Sequence, residues 1–108
     1  MKTPTHAVSG DARTLRVDLA GDLTAASVPH LRDQLRRELQ SGTESIEFDF
    51  ARTVAVDSSG IGLLIACHNS LAGKRGRLSL VNVSADIAHL LRNLRLAERF
   101  NVAARAAN

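Results

Sequence analysis

Apolar and polar residues alternate along three stretches of the chain, and a period of two is typical of strands with one buried face. The stretches are Thr14–Ala20, Ser45–Phe50 and Arg77–Val83. The side chains predicted to face inward are Leu15, Val17, Leu19, Ile46, Phe48, Phe50, Leu78, Leu80 and Asn82. A short run, His6–Ser9, is predicted to be a hairpin partner of the first strand, joined to it through residues 10–12.

Three other stretches have the spacing of amphipathic helices. The first, Ala25–Gln40, has Thr24 or Ser27 as a candidate cap and tolerates Pro29 in its first turn, where no N–H is needed. The second opens at Asp57 and ends at Ala72, and the third, Ala85–Asn93, is capped by Ser84. Their predicted apolar stripes are Val28, Leu31, Leu35, Leu39; Ile61, Leu64, Ile65, His68, Leu71; and Ile87, Leu90, Leu91, Leu94.

Strands that alternate with helices of this length indicate crossover units and a largely parallel sheet. Leu96–Phe100 is expected to add a helical turn, and Asn101–Ala104 a short edge strand. Strict alternation in the strands indicates that one sheet face is exposed to solvent, since strands covered on both faces are typically continuous apolar runs. We therefore predict a two-layer α/β fold, with a mixed, mostly parallel β-sheet of four to five strands and three to four helices mainly on one face.

Composition limits the class of protein further. The 108 residues suit one domain, and no apolar run approaches the ~20 residues of a membrane span. The N-terminal residues lack the pattern of an export signal. Cys67 is the one cysteine, so no intramolecular disulfide can form, and no spacing suggests a metal site. Cys67 is expected to be a small buried residue, and the expected location is the cytoplasm.

The net charge of +3 suggests nucleic-acid binding only weakly. The basic residues form three small groups with acidic residues between them, and the chain has neither Trp nor Tyr to stack on bases. We interpret these groups as solvated helix faces and expect no direct nucleic-acid contact. The groups are Arg32/Arg36/Arg37, Lys74/Arg75/Arg77 and Arg92/Arg95/Arg99.

The segment Val54–Leu64 is the strongest candidate for a functional site, because a strand ends there in a polar turn that starts a helix. One interpretation is capping alone, since Asp and Ser oxygens accept the unpaired N–H groups of a first helical turn. Gly60 and Gly62 would then permit close packing. The other interpretation adds a site, because the positive end of a helix tolerates a phosphorylated serine.

Other candidate chemistry is weaker. His68 lies on the apolar stripe of its helix and is interpreted as a partly buried side chain. Ser58 has no GxSxG elbow around it, which argues against a Ser–His–acid hydrolase. No GK[ST] follows the glycines, which excludes a Walker-type loop.

The run Asp57-Ser58-Ser59-Gly60-Ile61-Gly62-Leu63-Leu64 resembles the signature of STAS domains, in particular that of bacterial anti-sigma factor antagonists. Gly21-Asp22-Leu23 before the first helix resembles a second family stretch, and the order of elements and the length also match. The resemblance covers Thr14–Phe100. It implies a single STAS domain over residues 1–108, with a core of about 6–102.

The resemblance also implies a role for individual residues. Ser58 corresponds to the phosphorylated serine, with Asp57 beside it. The implied partner surface comprises Gly21, Asp22, Thr24, Asp57, Ser58, Ser59, Gly60 and Ile61. The chain departs from the family at Thr24, where many relatives have a carboxylate.

The mechanism implied by the family is partner switching. The unphosphorylated antagonist binds an anti-sigma factor that is also a serine kinase, which frees the sigma factor. The kinase phosphorylates the antagonist with ATP and releases it, and a serine phosphatase resets the cycle. The chain would then be a binding module and not an enzyme. It would have no cofactor, metal or membrane contact and would be a monomer or weak dimer.

Two alternatives remain open at this stage. STAS proteins of this size are similar to scaffold or accessory subunits of stress-signalling assemblies and lipid-transport ATPases, which have no sigma-factor control. A catalytic serine protein is the third possibility. Phosphate transfer from ATP separates the first function from the third, and the identity of a captured partner separates the first from the second.

Overall fold

The chain folds as one five-stranded sheet with its helices interleaved along the sequence. A computed structural model describes residues 7–9, 13–39 and 42–105, with only the backbone described in 7–9. The strands are β1 (Ala7–Ser9), β2 (Thr14–Asp18), β3 (Ser45–Asp49), β4 (Arg77–Val83) and β5 (Asn101–Ala104). The helices are α1 (Val28–Glu38), α2 (Ser58–Ala72) and α3 (Ala85–Asn93).

The sheet has the order β1-β2-β3-β4-β5. β1 pairs antiparallel with β2, and the other three pairs are parallel. Because crossovers between parallel strands are right-handed, a sheet in sequential order carries all its crossover helices on one face. The prediction of a two-layer, mostly parallel α/β fold is confirmed. The predicted hairpin is confirmed for its strands, while His6 and residues 10–12 lie outside the described residues.

The core lies between the helices and one sheet face. Val17, Phe48, Leu80 and Val102 pair across β2 to β5 and form one row of it, and the first three are at most 1% exposed. The opposite face is polar, and on it Arg16 Nε lies 3.7 Å from Glu47 Oε2. The alternation of β2 and β3 therefore separates core from solvent as the sequence predicts.

The prediction that Asn82 faces the core is wrong, because β4 contains a bulge at this residue. The pairing of β4 with β5 shifts between Leu80 and Val83, and Asn82 adopts a φ of 55°. Val83 is consequently fully buried on the core face, and Asn82 is displaced to a half-buried position. Its Nδ2 donates to Asp49 Oδ1 at 3.0 Å. Asn suits this position because it tolerates the left-handed region better than most residues.

The start of α1 also differs from the prediction. Residues 25–27 form a turn, and the helix begins at Val28. Ser27 is the N-cap but its side chain makes no capping hydrogen bond, and Thr24 does not supply one either. Ser27 Oγ instead donates to Asp22 O at 2.7 Å and accepts from Thr24 N at 3.1 Å. The hydroxyl therefore fixes the preceding loop.

The remaining predicted elements agree with the structure. Ser84 Oγ accepts from Ile87 N at 3.2 Å and caps α3 at the predicted residue. Residues 96–100 make a single turn, closed by Phe100 N–H donating to Leu96 O at 3.0 Å. Cys67 is buried, and burial raises the pKa of its thiol to about 11.

Three residues of the predicted stripes are exposed, and Ile61 and Leu90 are half-buried. Leu39, Ile65 and Leu94 are 38%, 36% and 47% exposed. His68 is half-buried and lies edge-on to Phe100, with ring centroids 5.6 Å apart. Across the described ranges, a helix with the length and apolar character of a membrane span does not occur.

Candidate functional site

Two loops meet at the carboxyl edge of the sheet and form the candidate site. One follows β2 and the other follows β3, which are parallel neighbours, so both loops emerge on the same side. Leu23 and Val56 form a parallel bridge between them. Leu23 N–H donates to Ala55 O at 3.0 Å, and Asp57 N–H donates to Leu23 O at 3.2 Å. The two predicted motifs, about 35 residues apart in the chain, are therefore joined through their backbones.

Asp57 connects the start of α2 to both loops. Its Oδ1 accepts from Gly60 N at 3.1 Å, which is an N-cap bond, and its Oδ2 accepts from Ala25 N at 2.9 Å. The N–H groups of Ala25 and then Gly60 hold the pKa of this carboxyl below its ordinary value, because they stabilise the charged form. Both oxygens are thus engaged in positioning the turn.

Asp22 and Thr53 make the reciprocal connections. Asp22 Oδ1 accepts from Val54 N at 2.9 Å and from Ala55 N at 3.1 Å. Thr53 is 1% exposed, and its Oγ1 donates to Gly21 O at 2.8 Å. Each loop therefore supplies side-chain oxygens to the backbone of the other. Asp22 was expected to be a partner contact, whereas no pattern in the sequence marks Thr53 as part of the site.

The two glycines of the α2 motif have different surroundings. A Cβ added at Gly60 would meet the Leu23 carbonyl oxygen and lie 2.9 Å from Val56 Cγ1. At Gly62 such an atom would have nothing within 4 Å. Close packing therefore requires Gly60 alone, and Gly62 is exposed. Because Gly60 is buried, we revise its expected role from a partner contact to a residue that lets the loops approach.

Ser58 is the first residue of α2, and it is exposed. Ser59 and Ile61 are half-buried beside it. The free N–H groups of a first helical turn and the helix dipole favour negative charge at such a position. The Ser58 hydroxyl is thus held on a fixed backbone and is accessible to another protein.

An apolar groove of about 330 Å³ borders Ser58 and lies between α2 and α3. Its apolar walls are Val56, Ile61, Leu90 and Leu94. Leu94 is 47% exposed, and Val54 in the adjoining loop is 80% exposed. Apolar side chains this exposed beside a rigid polar turn are typical of protein-binding surfaces.

The structure brings together every site residue that the sequence analysis proposed. Gly21, Asp22 and Thr24 lie in the loop that is bridged to the Asp57–Ile61 turn. Val54 lies in the predicted segment Val54–Leu64 but outside the expected partner surface, and Leu90 and Leu94 were expected only in the apolar stripe of α3. In the folded chain Val54 and Leu94 are exposed and Leu90 is half-buried, which spacing in the sequence does not indicate.

The chain thus combines four parallel strands and one antiparallel edge strand with a serine at the start of α2, and its fold matches that of STAS domains. The model of the family described as "Mlab, STAS domain" matches residues 6–102. The chain belongs to this STAS family.

Individual relatives agree with this membership. The anti-sigma-B factor antagonist of Staphylococcus epidermidis is 30% identical over 74 residues, which is 68% of each chain. The anti-sigma factor antagonist SpoIIAA in its unphosphorylated form superposes with a TM-score of 0.74 and 22% identity, covering 95% of this chain and 90% of that one. The Bacillus cell fate determinant SpoIIAA in its phosphorylated form gives 0.72 and 23% identity, covering 91% and 90%. The last two show the shared fold.

Proposed function

We propose that this chain is an anti-sigma factor antagonist that acts as a protein-binding module in the cytoplasm. The relative of Staphylococcus epidermidis carries that name. The observation on which the proposal rests is the exposed Ser58 at the start of α2, beside the apolar groove between α2 and α3. In its unphosphorylated form the chain binds an anti-sigma factor that is also a serine kinase, which frees the sigma factor. The expected contact surface comprises Gly21, Asp22, Thr24, Asp57, Ser58, Ser59 and Ile61, extended by Val54, Leu90 and Leu94.

Phosphorylation of Ser58 would switch this surface off. A phosphoryl group adds about −1.5 to −2 charges at neutral pH. The start of α2 tolerates that charge, so the domain itself stays folded. The same charge beside Leu94 and the Asp57 carboxylate opposes an apolar protein contact by desolvation and repulsion. A folded domain with altered binding is what partner switching requires.

The geometry supports a substrate and binding role over catalysis by Ser58. Asp57, the carboxylate next to it, has both oxygens engaged by backbone N–H groups and a lowered pKa. A group in that condition is a poor general base near neutral pH. The proton acceptor and the ATP are therefore expected to come from the kinase, and a serine phosphatase is expected to remove the phosphate.

The test uses the 108-residue chain and the kinase-like anti-sigma factors encoded in the same genome. Each candidate is incubated with labelled ATP, and the site of labelling is read by mass spectrometry. Labelling at Ser58 and its loss in Ser58→Ala support the proposal. Full labelling of Ser58→Ala would overturn it.

Binding is measured in the same experiment series. Ser58→Ala should bind the anti-sigma factor as the unmodified chain does, and Ser58→Asp should bind at least tenfold more weakly. Ser70→Asp is the matched control, since it adds the same charge at an exposed serine nearer the other end of α2. Equal weakening by both substitutions would show a general charge effect and contradict the assignment of Ser58.

A scaffold function is the second candidate. The matching family is described by the name Mlab and not as an antagonist of anti-sigma factors. A STAS subunit of a larger stress-signalling or lipid-transport assembly would use the same apolar surface without phosphate transfer. Capture of an ATP-binding transport subunit, with Ser58→Asp and Ser58→Ala bound equally, would favour this candidate.

A further inference from the structure

A second groove, of about 270 Å³, lies between α1 and α2. It is lined by one face of each helix. α1 contributes residues 32, 35 and 36, followed by Leu39, and α2 contributes residues 63, 66, 67, 70 and 71, followed by Lys74. In α2 these are mostly residues of its second half, and Ser70 is about 18 Å along the helix axis from Ser58 at 1.5 Å per residue. The groove is thus separate from the surface proposed to bind an anti-sigma factor.

The floor of this groove is apolar. Leu35, Ile46, Leu63 and Leu71 line it and are each 2–4% exposed. Above the floor the lining continues to Leu39, which is 38% exposed, and to the exposed Ala66. An apolar ligand segment would therefore be buried mainly against these two more exposed residues.

The rim of the groove is positively charged. Arg32, Arg36 and Lys74 lie along it, and its lining includes neither Asp nor Glu. In the described part of the chain, none of these three cations takes part in an ion pair. Arg36 and Lys74 lie near the carboxyl ends of helices, where cations offset the dipole, but Arg32 lies in the body of α1. The combination complements an anion attached to an apolar chain.

We propose that the groove between α1 and α2 binds the carboxylate form of a straight-chain fatty acid. The alkyl chain lies on the apolar floor, and the carboxylate pairs with Arg36, Arg32 and Lys74 at the rim. Arginine suits this role because its guanidinium binds a carboxylate through two parallel hydrogen bonds. The site is independent of Ser58 and of the partner proposed above.

Titration of the 108-residue chain with octanoate, decanoate and dodecanoate, below their micelle concentrations, tests the apolar part. Each two-carbon extension should tighten binding roughly tenfold until the floor is filled, because each buried methylene contributes a similar increment. Decanol should bind at least tenfold more weakly than decanoate, since it lacks the charge. Affinity that does not change with chain length, or equal affinity for decanol, would overturn the proposal.

Paired variants test the rim and the floor. Arg36→Gln should weaken decanoate binding about tenfold, while Arg37→Gln, at an exposed neighbour outside the lining, should leave it unchanged. Ala66→Phe fills the groove from an exposed helix position and should abolish binding, with circular dichroism as the check on folding. Equal effects of the two arginine substitutions on a folded chain contradict the site.

Two further measurements test whether this groove is independent of the Ser58 surface and whether it binds a protein instead of a fatty acid. Ser58→Asp should bind decanoate as the unmodified chain does, so failure of the partner-switching proposal leaves this one standing, and the reverse also holds. An acidic amphipathic peptide is titrated in parallel. Binding of the peptide without binding of decanoate would assign the groove to a protein and overturn the fatty-acid proposal.

Discussion

Asp57 Oδ2 accepts a hydrogen bond from the backbone N–H of Ala25 at 2.9 Å, across the gap between the two loops. The other oxygen of the same carboxylate caps α2 at Gly60 N. One side chain therefore fixes both the direction of α2 and the position of the loop before α1. Ser58 follows Asp57 directly in the chain, so the position of its exposed side chain is fixed by the same hydrogen bonds.

The first prediction concerns the pH dependence of this bridge. The folded-state pKa of Asp57 is lowered from its ordinary value of 3.8 by the N–H groups of Ala25 and Gly60. Its contribution to stability is therefore fully present above the unfolded-state value and is lost as the pH falls through the folded-state value. Asp57→Asn removes the charge and turns an amide donor toward one of these N–H groups. The variant should be less stable than the unmodified chain above about pH 5.

Urea unfolding at several pH values measures this difference in the free energy of unfolding. We expect the difference to be constant above about pH 5 and to shrink steadily as the pH falls below 4. Asp57→Ala removes the cap as well and should lower the midpoint of thermal unfolding at pH 7 by roughly 5 °C. A difference between the chain and Asp57→Asn that is the same at pH 7 and pH 3 would contradict the lowered pKa.

The second prediction uses Gly60 and Gly62 as a matched pair. Gly60→Ala places a methyl group against the Leu23 carbonyl and Val56. Relieving this clash requires the backbone at Leu23 to move, which costs free energy. The substitution should reduce the free energy of unfolding by about 3 kcal/mol. Gly62→Ala meets nothing within 4 Å and should raise it by about 0.5–1 kcal/mol, because glycine is unfavourable inside a helix. Urea unfolding of both variants gives the two values, and similar values would refute the close approach at Gly60.

The difference between these glycines illustrates what the sequence can and cannot predict. Regular periodicity predicted α3 at its observed bounds and most of β2 and β3, because local spacing alone determines which face is buried there. Gly60 and Gly62 look alike in the sequence. What distinguishes them is a loop about 35 residues earlier, which only the parallel pairing of β2 and β3 brings against Gly60.

The incorrect predictions for Ser27 and Asn82 have causes that local spacing does not reveal. One is a hydrogen bond to another loop residue, and the other is a backbone irregularity. Ser27 looks like a helix cap, but its hydroxyl is taken by the Asp22 carbonyl. The alternation of β4 continues through Asn82 without a sign of the bulge that turns Val83 inward. For the site, the Asp57–Ser58 turn was predictable from residue type and resemblance. The exposure of Leu94 was not, because it depends on where α3 ends.

The third prediction concerns the end of α3. Arg95 adopts a φ of 60°, with Leu96 N–H donating to Leu91 O at 2.8 Å and Arg95 N–H donating to Arg92 O at 3.0 Å. This is a Schellman motif, in which the left-handed position favours glycine. Arg95→Gly should therefore raise the free energy of unfolding by about 0.5–1 kcal/mol, after the greater freedom of the unfolded chain is included.

Arg92→Gly is the control for Arg95→Gly. It removes the same side chain from the last turn of the helix, where the backbone is right-handed. We expect it to lower the free energy of unfolding by about 1 kcal/mol. Chemical denaturation of the two variants should therefore give changes of opposite sign, and a loss of stability in both would show that Arg95 is not strained.

The fourth prediction concerns the apolar part of the proposed partner surface. Leu94 and Val54 are 47% and 80% exposed, so truncating either removes little from the core of the free domain. At a protein interface the same side chains would be buried. Each of Leu94→Ala and Val54→Ala should therefore weaken binding of the anti-sigma factor about tenfold, while the midpoint of urea unfolding stays nearly unchanged.

Leu39→Ala provides the comparison, because Leu39 is 38% exposed but lies at the end of α1 on the other groove. It should leave the affinity for the anti-sigma factor unaltered, as measured by calorimetry. If Leu39→Ala weakened binding as much as Leu94→Ala, the partner would also contact the groove between α1 and α2, and the surface beside α3 would not be specific. If neither Leu94→Ala nor Val54→Ala had an effect, the contact would be limited to the polar turn around Ser58. The proposed surface beside α3 would then be wrong, even if phosphorylation at Ser58 were established.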